Sequence, residues 1–192
     1  MNKKLIVSIS GRILLLFFLS LSLFGFTAVA WSQEDDQSTG QIIENILLEV
    51  AEQLERRDFL SALQLFDTLP PEHAQITEIR ILRASIYNAA GRPIDAKRIA
   101  NEIITAESNN TYALMVLADA AVLENNDRER RVLLERVLSI DPNHARALND
   151  LANISIRNQN LRAAAGYFDR VLAVEPGNGE ALVGRASVYR YR

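Results

Sequence analysis

Beyond position 40 the apolar residues of this chain recur at i, i+3, i+4 and i+7, break for two or three polar positions, and resume. Each stretch has the pattern of an amphipathic helix with one buried face. The breaks read Arg57-Asp58, Gly91-Arg92-Pro93, Asn125-Asn126-Asp127 and Gln159-Asn160. Asp58, Asn126 and Asn160 share one column and can accept hydrogen bonds from the free amides of the helix that follows, while Pro93 suits a first helical position. Gly91 can take the left-handed conformation that ends a helix, and Asn126 with Glu129 has the spacing of a capping box. The spacing predicts helices over 41–56 with 59–69, 75–90 with 93–106, 111–124 with 127–140 and 145–158 with 161–174, then a ninth over 179–191.

The pairs repeat with a period of 34, the separation of Pro142 from Pro176. Stepping by that interval brings Val50, Ala84, Ala118, Ala152 and Ala186 into one column. A second holds Ala62, Ala96, Arg130 and Ala164, a third Phe66, Ala100, Leu134 and Phe168, and a fourth Leu69, Ile103, Val137 and Val171. The alanines have a physical reason: two antiparallel helices joined by so short a turn must pack closely, and a small side chain at the crossing lets the backbones approach.

On these columns the chain resembles the tetratricopeptide repeat family over residues 41–192. Leu148, Leu151, Ala152, Ala164, Phe168, Val171 and Pro176 match its pattern best, followed by Ala84, Tyr87, Gly91 and Ala96. The resemblance implies an all-α, right-handed superhelix of about four helix pairs, with repeats near 43–76, 77–110, 111–144 and 145–178 and a terminal helix over 179–192. The first unit is degenerate and ends early at Leu69-Pro70-Pro71. The third places Arg130 where a small residue is usual, so its helix pair is expected to splay slightly or to let the arginine stem reach solvent. Arg185, Arg190 and Arg192 give the last helix a charged face suited to capping the array; association through that end is the alternative.

The resemblance also implies that the first helix of each pair lines a concave groove. Carried over, the groove positions of the third repeat are Tyr112, Met115, Asp119, Val122 and Leu123, and those of the fourth are Arg146, Asn149, Asn153, Ile156 and Arg157. Asn149, Asn153 and Arg157 recur every four residues and share one helical face. Asparagine can donate to and accept from a peptide backbone, and arginine can fork onto a carboxylate. The plainer readings are a solvated polar face and, for Tyr112 and Met115, a place in the core between repeats. The expected site residues are thus Tyr112, Met115, Asp119, Arg146, Asn149, Asn153 and Arg157, for a protein or peptide partner.

The first thirty residues change the picture of where the protein works. Lys3, Lys4 and Arg12 lead an uncharged stretch from Ile13 to Phe26, and Ala28-Val29-Ala30 offers a small-x-small cleavage site. This reads as a signal peptide over 1–30, and so as an exported protein, periplasmic or secreted. The mostly apolar stretch from Ile13 to Trp31 is 19 residues long, close to the ~20 a spanning helix needs, so an inner-membrane anchor facing the periplasm is the alternative. Residues 31–40 are polar and acidic and are expected to form a flexible leader.

Without residues 1–30, 18 basic residues face 24 acidic ones. The count gives no cationic footprint for a phosphate backbone, so nucleic acid is not an expected partner. The run Arg128, Arg130, Arg131 and Arg136 opens a second helix, where ion pairing with Glu129 and Glu135 is expected. Two histidines and no cysteine leave little for a metal and nothing for disulfides. His73 and His144 both fall in expected exposed turns without a nucleophile or carboxylate partner, and no HExxH, GxSxG or phosphate-loop pattern occurs. No cofactor and no enzyme activity are expected. The function class is a binding module, an adaptor, scaffold or chaperone-like protein, with a membrane-tethered structural component as the alternative.

Overall fold

The computed structural model describes residues 33–190, all in helices and the short turns between them. The expected signal segment, Tyr191 and Arg192 lie outside the described residues. The chain forms two compact units divided in sequence after Pro70.

In the first unit, α1 (Gln33–Glu55) pairs with α2 (Phe59–Leu65), which a 3-10 turn over Phe66–Thr68 extends. Asp58 caps α2 by accepting from the Ser61 amide at 3.1 Å. Val50, Ala62, Phe66 and Leu69, one member of each repeat column, are buried. Residues 31–40 differ from expectation, because α1 already begins at Gln33. Polarity alone does not stop a helix: no proline occurs before Pro70, and Gly40 costs only about 1 kcal/mol against alanine.

The second unit opens with a single helical turn, α3 (Pro71–Ala74), where the sequence suggested only a loop; Pro71 occupies the first helical position, where its missing N–H is no loss. Three antiparallel pairs follow. They are α4 (Thr77–Ala89) with α5 (Pro93–Ala106), α6 (Thr111–Leu123) with α7 (Asp127–Ile140), and α8 (Ala145–Arg157) with α9 (Leu161–Val174); α10 (Gly179–Arg190) closes the unit. Inner and outer helices have matching caps. Asn126 and Asn160 cap α7 and α9 through the Glu129 and Ala163 amides, and Asn110, His144 and Asn178 cap α6, α8 and α10. His144 is therefore a capping residue, with its Nδ1 accepting from the Ala147 amide at 3.2 Å.

The corners between paired helices are left-handed at Arg57, Gly91, Asn125 and Gln159, again one per period, and only one of the four is glycine. The alanine columns work as their spacing requires, with Ala84, Ala96, Ala118, Ala152 and Ala164 wholly buried. One continuous core results. Leu114, Met115, Leu134, Val137, Leu151 and Ile154 form its first part, and Leu148, Phe168, Val171, Ala181 and Val188 its second. Leu138 and Tyr167 pack against both.

Arg130 does not run out to solvent. Its Nη2 lies 2.6 Å from Asp150 Oδ1 on α8, and the two side chains are only 12% and 15% exposed. The guanidinium thus takes the place of a small residue by finding an anion in the next repeat.

Candidate functional site

Inner helices are tied to one another at a fixed register. Helix α4 packs along α6 and α8 along α10, and an ion pair joins α6 to α8. Residues 27 apart on consecutive inner helices therefore form cross-repeat rungs. Asp119 on α6 accepts from Arg146 on α8 at 2.6 Å, and Asn153 on α8 donates to Glu180 on α10 at 3.1 Å. One period earlier the same two positions hold Ser85 and Tyr112.

At that point the inner face opens. A cleft of about 160 Å³ is lined by Ile81 and Ser85 of α4, Tyr112, Met115, Val116 and Asp119 of α6, and His144 and Arg146 at the start of α8. Its floor is apolar. Met115 belongs to the core and is 4% exposed, while Tyr112 is 50% exposed. The Ser85 hydroxyl donates to the Ile81 carbonyl, so its oxygen keeps lone pairs that can accept. Asp119 and Arg146 neutralise each other on one side of the opening. Such a site can take one apolar side chain on its floor and hold the neighbouring backbone by polar atoms at its edge.

Of the seven residues expected from the sequence, Tyr112, Met115, Asp119 and Arg146 come together here. The other three do not form one rail. Asn149 is 3% exposed, and its Nδ2 donates to Asn178 Oδ1 at 3.3 Å and to Glu180 Oε2 at 3.2 Å. Asn153 holds the other oxygen of Glu180, and Arg157 turns back to Asp127 at 2.9 Å. Periodicity puts the three on one face but cannot show that adjacent helices supply a carboxylate to each. Val122 and Leu123 are exposed.

Asp150 sits behind this face. Burial pushes its carboxyl above the ordinary range; Arg130 and Arg146 oppose that shift, and Asp119 and Glu180 add to it. Sequence reasoning missed Asp150 and also Asn88, a buried residue of α4 whose Nδ2 donates to the Val116 carbonyl at 2.8 Å and ties α4 to α6 beneath the cleft. The rung spacing was readable, since Asp119 with Arg146 and Asn153 with Glu180 repeat a separation of 27.

The arginine run is likewise absorbed by structure. Arg131 pairs with Glu135 at 4.0 Å, and Arg136 reaches the Ser108 carbonyl. Arg170, one period later, reaches the Pro142 carbonyl at 2.6 Å, so this is a repeated brace onto the preceding inter-repeat turn. Glu129 pairs with Lys97 rather than an arginine, at 3.3 Å. Among the described residues no group of three or more His, Asp or Glu is placed to hold a metal.

Paired antiparallel helices, small residues at each crossing and inner rungs at constant register define the class: a solenoid of the tetratricopeptide type. Residues 131–186 match the tetratricopeptide repeat family. Solved structures share the fold. TTC0263, a thermophilic tetratricopeptide repeat protein of Thermus thermophilus, superposes with a TM-score of 0.63 at 18% identity, over 77% of this chain and 81% of that one. MamA superposes with a TM-score of 0.59 at 16% identity, over 73% of this chain and 82% of that one. A tetratricopeptide repeat protein from Parabacteroides merdae gives 0.60 at 18% identity, over 77% of this chain and 59% of that one. At these identities the likeness is one of fold. No curated protein matches the sequence.

Proposed function

We propose that the protein is an exported protein–protein interaction module that binds a peptide or partner helix on the inner face of its second unit, at the cleft beside Tyr112. The observation that carries this reading is the cleft that opens on the inner face at the Ser85 and Tyr112 level. Where Asp119 with Arg146 and Asn153 with Glu180 close the inner face, Ser85 and Tyr112 leave an apolar floor and a half-exposed aromatic ring. Aromatic side chains over an apolar pocket are the usual anchors of protein recognition. Export rests on the basic lead, apolar stretch and Ala28-Val29-Ala30 of the N-terminus. It makes the partner a protein of the cell envelope or beyond it, with an adaptor or scaffold as the role.

A photo-crosslinking residue in place of Tyr112 tests the groove. It is expected to trap a discrete partner in native envelopes, while the same residue in place of exposed Val132 on the outer helix α7 does not. Equal labelling from both positions would end the groove reading. The apolar run from Ile13 to Trp31 supports a second reading, in which the segment stays as a membrane tether and the array organises an envelope complex. The mass of the protein purified from its native envelope separates the two: a mature N-terminus near Trp31 removes the tether, and an intact Met1 supports it.

A further inference from the structure

We propose that α10 is a pairing surface for a second copy of this chain, the two helices lying antiparallel across a twofold axis at Ala186. The inference is independent of the cleft.

One face of α10 is seated as an inner helix should be. Ala181 and Val188 are buried in the core, and Gly184 lies so close to the Phe168 ring that a Cβ there would fall 2.2 Å from it. The adjoining face is bare. Leu182, Ala186 and Tyr189 follow Leu148, Ala152 and Ser155 by one period, and those three are buried in α8, where the outer helix α9 packs. Leu114, Ala118 and Ala121 are the matching buried positions of α6, under α7. In α10 Leu182 is 49% and Tyr189 60% exposed, and Val183 beside them is 69% exposed. Among the described residues no outer helix covers them.

The stripe is complementary to itself. Inner and outer helices pair antiparallel, and a twofold axis across α10 produces that arrangement without further adjustment. Ala186 stands in the alanine column, so the two copies meet at the crossing through small side chains, as Ala152 does within the chain. Positions equidistant from Ala186 then match: Val183 meets Tyr189 of the other copy, and Leu182 meets the aliphatic stem of Arg190.

Charge supports the same orientation. Among the described residues, Glu180, in the first turn of α10, accepts only from the Asn149 and Asn153 amides and pairs with no cation. Arg190 at its far end has no anion among them either. Antiparallel pairing brings each such guanidinium toward the acidic end of the other helix. Tyr189 is already held for contact: the Arg185 guanidinium stacks 4.1 Å from its ring centre and donates to its hydroxyl at 2.9 Å, while Asp169 anchors that arginine at 2.6 Å. An exposed aromatic fixed before association loses little entropy on binding.

The absence of cysteine from the chain makes the test direct. In the full-length protein, Ala186→Cys places two thiols on the axis, within reach of a disulfide if the helices cross there. Mild oxidation is expected to give a covalent dimer from Ala186→Cys and little from Val132→Cys on the outer face. Adding Leu182→Glu, or separately Val183→Glu, should cut the dimer yield about tenfold, and Arg190→Glu should cut it less. Circular dichroism confirms that each variant stays helical. No crosslink at Ala186, an equal crosslink at Val132, or indifference to both Leu182→Glu and Val183→Glu would each overturn the proposal, including the case in which another protein covers the stripe.

Discussion

Helices α6 and α8 occupy the same place in successive repeats, yet their inner faces do opposite things. On α8 every polar group expected to meet a partner already holds a neighbour: Arg146 holds Asp119, Asn149 and Asn153 hold Glu180, and Arg157 holds Asp127. On the N-terminal turns of α6 the equivalent rung is Tyr112 beside Ser85, and an apolar cleft opens there instead. One scaffold therefore carries cohesion at one level and an opening at the next. The residue types at a single register decide which.

The contrast breaks most strongly at the seam between the two repeats. Arg130→Met would leave the Asp150 carboxylate in its half-dry site without its partner, destabilising the protein by about 2–4 kcal/mol, and Arg130→Met with Asp150→Leu should recover most of that loss. Urea unfolding of the single and double variants measures both. Asn149→Ala should cost about 1–3 kcal/mol, because it strips a buried carboxamide from Glu180 and Asn178. A loss below a few tenths would mean that α8 is not tied to α10 as described.

Acid gives a subtler contrast. The folded state raises the Asp150 pKa above its ordinary 3.8, so ionisation of this group opposes folding and the opposition fades as pH falls through the folded value. Asp58 and Glu107 are lowered, chiefly by side-chain hydrogen bonds from Ser61 and Asn110, so the stability they add is present above their ordinary values and lost as pH falls through the folded ones. Asp150→Asn should therefore lose ground to the wild type between neutral pH and about pH 4. Unfolding curves at the two pH values give the sign. Smallest in stability is the rung transplant. Ser85→Asp with Tyr112→Arg would copy the closed rung into the open level, shifting stability by less than about 1 kcal/mol while abolishing partner capture at the cleft.

Much of this was legible in the sequence, for a physical reason. Columns of small and apolar residues at a spacing of 34 register what each helix must bury, and burial is local to the repeat; hence Ala96, Leu134 and Phe168 sit where the period puts them. The inner face was legible only in part. Whether Asn149 meets solvent depends on what α10 presents 31 residues later, and its own helix carries no trace of Glu180. Arg130 misled in the same way, since its anion lies on the next repeat. Residues 33–40 misled because an acidic, polar composition fits a solvated helix as well as a flexible leader.

The left-handed corners carry a consequence for how such a chain can change in length. Gly91, Asn125 and Gln159 turn the backbone through the same conformation with three different side chains, so each junction is interchangeable with the others. Cutting at one corner and rejoining at another would insert or excise a whole 34-residue cassette with matching ends. The number of levels, and with it the number of closed and open rungs, is free to drift by duplication without any joint being redesigned.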